Sequence, residues 1–114
     1  MKKPDPESPP GGPPGDLDKT IHEPARLLLM TTLFVLESAD FLFLLNQTGL
    51  TRGNLSVHLQ KLESAGFLNI VKGYSGRRPN TNVRLTESGR AALIRYREKM
   101  ERLLSVLPRS TDEP

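Results

Sequence analysis

The stretch Leu50-Thr51-Arg52-Gly53-Asn54-Leu55-Ser56-Val57-His58-Leu59-Gln60-Lys61-Leu62-Glu63-Ser64-Ala65-Gly66-Phe67 decides how this chain folds. Thr51 is a good helix cap and Gly66 a good stop, so a helix is expected up to Ala65. Leu55, Leu59 and Leu62 recur at spacings of four and three, which places them on one narrow stripe of that helix. The opposite arc carries Gly53, Asn54, Val57, Gln60, Lys61 and Ser64. Its only acidic neighbour, Glu63, sits off to one side, so a helix anchored by its leucines offers a polar and cationic surface to whatever it meets.

Upstream, Ser38 is expected to cap a shorter helix through Asn46, with Phe41, Leu44 and Leu45 facing inward and Gly49 ending the connection. A first helix is expected to start near His22, capped by Asp18 or Thr20, with Pro24 tolerated in its first turn. From Leu27 to Leu36 that helix is apolar nearly all round: Leu27, Leu28, Leu29, Met30, Leu33, Phe34, Val35, Leu36. Such a helix needs cover on more than one side, and a partner subunit is the expected cover.

Downstream, Phe67 to Lys72 and the segment around Val83 and Leu85 read as two short strands. The loop expected between them is Gly73-Tyr74-Ser75-Gly76-Arg77-Arg78-Pro79-Asn80, with two adjacent arginines at its tip. Thr86 then caps a long helix ending before Pro108. In it Leu93, Tyr96, Met100, Leu103 and Leu107 form a seam that either closes the domain's own core or zips against another chain. The order helix, helix, turn, helix, hairpin, helix defines the expected fold class: mainly α with a small β-hairpin, a winged helix-turn-helix. It is expected over residues 17–107, between disordered tails at 1–16 and 108–114. The first tail gathers six of the ten prolines and three of the nine glycines before residue 20. It holds too little apolar surface to offset the entropy of ordering.

A chain of 114 residues has room for one core. The absence of cysteine excludes disulfide scaffolds, thiolate metal sites and thiol nucleophiles, and two histidines in separate segments make no metal cluster. Neither paired carboxylates nor a glycine-rich phosphate loop is present, so no enzyme, no catalytic residue and no cofactor are expected. The longest apolar run is about half of what a bilayer crossing requires, and a cytoplasmic protein without a membrane partner is expected. The net charge of +3 conceals an asymmetry: residues 50–109 hold twelve Lys and Arg against four Asp and Glu, or +8, whereas residues 1–49 sum to −3. A basic half of that kind either solubilises a surface or binds a polyanion.

The major groove of duplex DNA, about 12 Å wide, admits one α-helix flanked by phosphates, and calls for small or hydrogen-bonding residues in its centre and cations at its edges. Thr51, Arg52, Gly53, Asn54, Ser56, Val57, His58 and Lys61 answer that description on the third helix, and Lys72, Arg77, Arg78, Asn80 and Thr81 on the hairpin. Blander readings stand beside these. Asn54 and Ser56 could equally support the helix's first turn, His58 could make a structural hydrogen bond, and the arginine pair could be an ordinary solvated turn. Gly53 serves either close backbone approach or a frayed first turn.

The stretch 50–67 resembles the recognition helix of the small winged-helix transcriptional regulators grouped near MarR and ArsR. Gly76-Arg77-Arg78-Pro79-Asn80-Thr81 and Leu85-Thr86-Glu87-Ser88-Gly89-Arg90 resemble that family's wing and its exit into the last helix, and Ile21-His22-Glu23-Pro24-Ala25-Arg26-Leu27 its first helix. The resemblance covers roughly residues 17–106 and implies sequence-specific binding of double-stranded DNA by a homodimer that regulates transcription. Leu28, Met30, Leu93, Tyr96, Met100, Leu103 and Leu107 are the residues expected to form the dimer contact. Metal sensing by cysteines does not carry over to this chain, and the sequence assigns no small-molecule effector. A function of another class, a winged-helix module that docks a protein, would require an apolar or acidic face on the third helix and wing.

Overall fold

The computed structural model describes residues 17–110, so the disorder expected of residues 1–16, and of all but 108–110 of the tail expected at 108–114, falls outside the described residues. Four helices and three strands follow in the order α1 (Pro24–Leu36), β1 (Ser38–Asp40), α2 (Phe41–Thr48), α3 (Arg52–Ser64), β2 (Leu68–Ser75), β3 (Arg78–Leu85) and α4 (Glu87–Leu104). This is a winged helix-turn-helix in which the strands form one antiparallel sheet of order β1-β3-β2.

The cap of α1 is Glu23, whose carboxylate accepts from Arg26 N at 2.8 Å, with Pro24 in the first turn where its missing N–H is harmless. Asp18 instead closes the preceding turn by accepting from Thr20 N at 2.9 Å. That turn sends Leu17 and Ile21 into the core beside Leu29, Met30 and Leu33 of α1.

Ser38, expected as the cap of the second helix, lies instead in a strand, and Asp40 caps α2 by accepting from Phe43 N at 2.7 Å. The cause is the residue before it. Glu37 leaves α1 at φ 69°, and its carbonyl accepts from Leu85 N at 3.1 Å. That bond lays Ser38, Ala39 and Asp40 alongside Arg84, Val83 and Asn82. Ser-Ala-Asp carries no strand pattern of its own, so tertiary pairing overrides local preference here.

Gly49, at φ 68°, ends α2, and Thr51 caps α3 by accepting from Asn54 N at 3.1 Å. Leu55, Leu59 and Leu62 are all buried, as their spacing requires. The hairpin departs from the eight-residue loop expected between its strands. Pairing continues through Gly73↔Asn80, Tyr74↔Pro79 and Ser75↔Arg78, leaving Gly76-Arg77 alone as the connection. Gly76 has φ 64°. A two-residue hairpin turn needs positive φ there to match the strand twist, and glycine supplies it without strain. Pro79 is accommodated because hydrogen-bonded and non-hydrogen-bonded pairs alternate away from the turn. The Tyr74↔Pro79 pair asks for no N–H from the proline.

Thr86 joins the sheet to α4. Its hydroxyl donates to Gly66 O at 2.6 Å and accepts from Gly89 N at 2.9 Å, while its N–H donates to Phe67 O at 3.0 Å. Arg90, one turn into α4, places its guanidinium 4.5 Å above the Phe34 ring of α1. The helix ends at Leu104 rather than just before Pro108, which leaves Leu107 outside it and exposed.

Gly89 packs so closely on the start of β2 that a Cβ would run into the Phe67 carbonyl and lie 2.9 Å from Leu85 Cδ1. Backbone cannot give way as a flexible side chain would. Gly89→Ala is expected to destabilise the domain by about 1–3 kcal/mol despite alanine's better helix propensity. A urea titration of the two proteins checks it, and an unchanged midpoint would refute the close packing.

Candidate nucleic-acid interface

With the leucine stripe of α3 buried, its other residues turn outward. Thr51, Arg52, Gly53, Asn54, Val57, Gln60 and Lys61 are exposed, and Ser56 and His58 are half-buried at the edges of the arc. Val57, 49% exposed, is the one large apolar side chain on that surface. The arc contains no acidic residue. Glu63, beside it, turns toward the sheet, where its carboxylate accepts from Ile70 N at 3.3 Å.

Sequence reasoning did not foresee that the turn before α1 lies along α3. Lys19, Thr20 and Arg26 share a depression of about 490 Å³ with Val57, Gln60, Lys61 and Ser64. Lys19 thereby joins the basic surface of α3. Nothing in the local sequence marks it, because its place depends on how a distant turn packs.

The side chain that fixes this turn is Arg26. Its Nε donates to Thr20 O, and its Nη1 lies 3.1 Å from His58 Nδ1. Glu23 Oε2 lies 4.0 Å from Arg26 Nη1 and 3.6 Å from His58 Nδ1. Through His58, therefore, α3 is tied to the start of α1. Burial acts to raise the Glu23 pKa. The N–H groups of Arg26 and Ala25, together with the charges of His58 and Arg26, outweigh it and hold the carboxyl below the ordinary glutamate value. The second histidine, His22, reaches the other end of the fold, with Nδ1 2.8 Å from Tyr96 Oη. Burial raises the Tyr96 pKa.

On the hairpin, Lys72, Arg77 and Arg78 are exposed and Asn80 and Thr81 half-buried. Arg77 occupies the turn, whereas Arg78 begins β3 opposite Ser75. The two arginines thus leave the tip from different structural positions.

The residues expected at a dimer contact divide in two. Met30, Leu93 and Tyr96 are buried in the chain's own core, and Met100 and Leu103 pack partly against it. Leu28 and Leu107 are exposed. The apolar surface left outside lies between α1 and α4, as a groove of about 950 Å³ lined by Leu27, Phe34, Val35, Ile94, Met100 and Leu104 among others. Among the described residues no His, Asp and Glu cluster could hold a metal ion, and no helix is long and apolar enough to cross a membrane.

Comparison with known proteins bears on this arrangement. The family model for the winged helix DNA-binding domain matches residues 25–104, which takes in every helix and strand except the first residue of α1. The chain belongs to the winged helix DNA-binding family. It is 35% identical over 78 residues to an uncharacterized protein of Methanocaldococcus jannaschii, covering 68% of this chain and 85% of that one. Among solved structures it is similar to a transcriptional regulator homologue from Pyrococcus horikoshii OT3, with a TM-score of 0.72 and 28% identity. That match covers 76% of this chain and 86% of the other. The PcaV transcriptional regulator of Streptomyces coelicolor, solved with its natural ligand, shares the fold at a TM-score of 0.60 and 19% identity, over 82% and 67% of the two chains. The resemblance to small winged-helix regulators grouped near MarR and ArsR thus holds for the winged helix fold and the winged helix DNA-binding family.

The Glu23–Arg26–His58 group has a pH signature. Because the folded pKa of Glu23 lies below its unfolded value, near 4.5, its stabilising contribution is complete above that pH and is lost as pH falls through the folded value. Glu23→Gln is therefore expected to be less stable than the parent at neutral pH, with the gap narrowing below about pH 4. Denaturant titrations at both pH values check this, and a gap that stays constant or widens in acid would count against the carboxylate's role.

Proposed function

We propose that this winged helix protein is a transcriptional regulator that binds specific double-stranded DNA sequences as a homodimer. The observation that carries the reading is the exposed face of α3, polar and cationic without an acidic residue, flanked by a hairpin whose turn is basic. Such a face suits a major groove and its phosphates, and it is not the apolar or acidic face expected of a winged helix that docks a protein. In this reading Asn54 and Val57 meet base edges, and Ser56 supports them from the rim. Thr51, Arg52 and Lys61 contact phosphates, and Gly53 lets the backbone approach. His58 positions the helix through Arg26. Lys72, Arg77, Arg78, Asn80 and Thr81 anchor the wing on the backbone and in the adjacent minor groove.

The homodimer reading rests on the groove between α1 and α4. Val35 at 80% exposure, with Ile94 and Leu104, lines that groove and leaves apolar side chains that a second copy of the chain would cover. A second copy related by a two-fold axis would bury both grooves at once and set two α3 helices about one helical turn of DNA apart.

Selection from random duplexes, then binding at several salt concentrations, tests the reading. The selected site should be pseudo-palindromic, and about six phosphate contacts per dimer would give a log–log salt slope near −5. Asn54→Ala should weaken the best site by about 1–3 kcal/mol and relax its sequence preference. Replacing Arg77 and Arg78 with alanine should weaken all sequences alike and flatten the slope by about one per lost phosphate contact. A slope near zero would exclude the DNA reading. Sedimentation should give a dimer that Leu28→Glu dissociates, and a monomeric parent at tens of micromolar would exclude the dimer.

A further inference from the structure

Tyr74 takes no hydrogen bond from any described residue and is 77% exposed, although it sits in a regular strand. Its direction follows from the register. Paired residues point the same way and successive pairs alternate. Leu68↔Leu85, Ile70↔Val83, Lys72↔Thr81 and Tyr74↔Pro79 therefore share one face of the hairpin. Leu68, Leu85 and Val83 on that face are buried in the core that also holds the α3 leucines. The other face carries Asn69↔Arg84, Val71↔Asn82, Gly73↔Asn80 and Ser75↔Arg78. Tyr74 and Pro79 thus carry the alternation of the core-facing side of the sheet out beyond the core.

A duplex whose major groove received α3 would bring its adjacent minor groove to the hairpin. We propose that Tyr74, backed by Pro79, is an apolar wedge of the wing that enters this minor groove and packs against deoxyribose and base edges, while Lys72 and Arg77 hold the phosphates on either side. The inference rests on the DNA-binding reading above and deepens it. Two features favour it. In a non-hydrogen-bonded pair the facing Cα atoms approach to about 4.5 Å, so the phenol and pyrrolidine rings form one narrow apolar edge. A wedge of that kind is the shape that enters a minor groove, where charge alone reads little sequence. The second is the chemistry of the opposite face, rich in Arg and Asn, where Val71 is the single exposed large apolar residue.

The chain has two tyrosines and no tryptophan, so the wedge can be watched directly. In full-length protein carrying Tyr96→Phe, Tyr74 is the only tyrosine. Adding the selected duplex should quench its fluorescence and shield it from acrylamide. Tyr74→Ala should weaken that site by about ten-fold while leaving the salt slope unchanged, because no phosphate contact is lost, and Tyr74→Phe should retain the affinity. Val71→Ser, on the other face, controls for hairpin stability and should bind as the parent does. Unchanged emission and unchanged acrylamide access at saturating duplex would overturn the wedge, as would an equal loss in Val71→Ser. A parent that binds no duplex overturns the DNA reading and the wedge together, whereas binding with an unaltered tyrosine overturns the wedge alone.

Discussion

Burial of three leucines, Leu55, Leu59 and Leu62, governs the rest of the structure. A 13-residue helix with a stripe this narrow has little choice of rotation, since turning it by one residue would expose a leucine and bury Lys61 or Gln60 without a partner. Burial of the stripe thereby sets which side chains face outward. It also fixes where β2 begins, because Gly66 at φ 82° turns the chain straight from α3 into the sheet. The recognition surface and the wing are consequences of one packing decision. The Glu23–Arg26–His58 group then adds a polar tie that keeps α3 from sliding along its own axis.

What was legible in the sequence was whatever a local signal controls. Thr51 and Thr86 cap the helices they were expected to cap, and the α3 leucines are buried where their spacing put them. What was not legible depended on distant partners. Ser38–Asp40 becomes a strand only because the Glu37 carbonyl finds Leu85, and Ser followed later by an apolar run looks like a helix cap when that partner is unknown. The hairpin was read as a long loop because Gly73, Gly76 and Pro79 each break strands on average. Here the register puts Pro79 where no N–H is needed and leaves Gly76 as the turn. The histidines show the same division: neither His22 with Tyr96 nor His58 with Arg26 can be inferred from sequence separation.

The apolar residues of α1 and α4 illustrate why periodicity alone left two readings open. Met30, Leu93 and Tyr96 close the chain's core, while Leu28, Val35, Ile94 and Leu104 remain outside it. A seam drawn from spacing merges these two sets, since a helix packed on one side and covered on the other carries both at interleaved positions. The core takes one set and leaves the other along an apolar groove that Leu93 and Tyr96 also line.

Gly89 gives the fold a mechanical property. With no Cβ between them, the first turn of α4 rests directly on the Phe67 carbonyl, and Thr86 bonds to the same backbone from one turn earlier. Such a joint has almost no slack, so the first turn of α4 and the base of the hairpin hold a fixed angle to each other. A tilt imposed on the far end of α4 cannot be absorbed by repacking of side chains at the joint, because backbone meets backbone there.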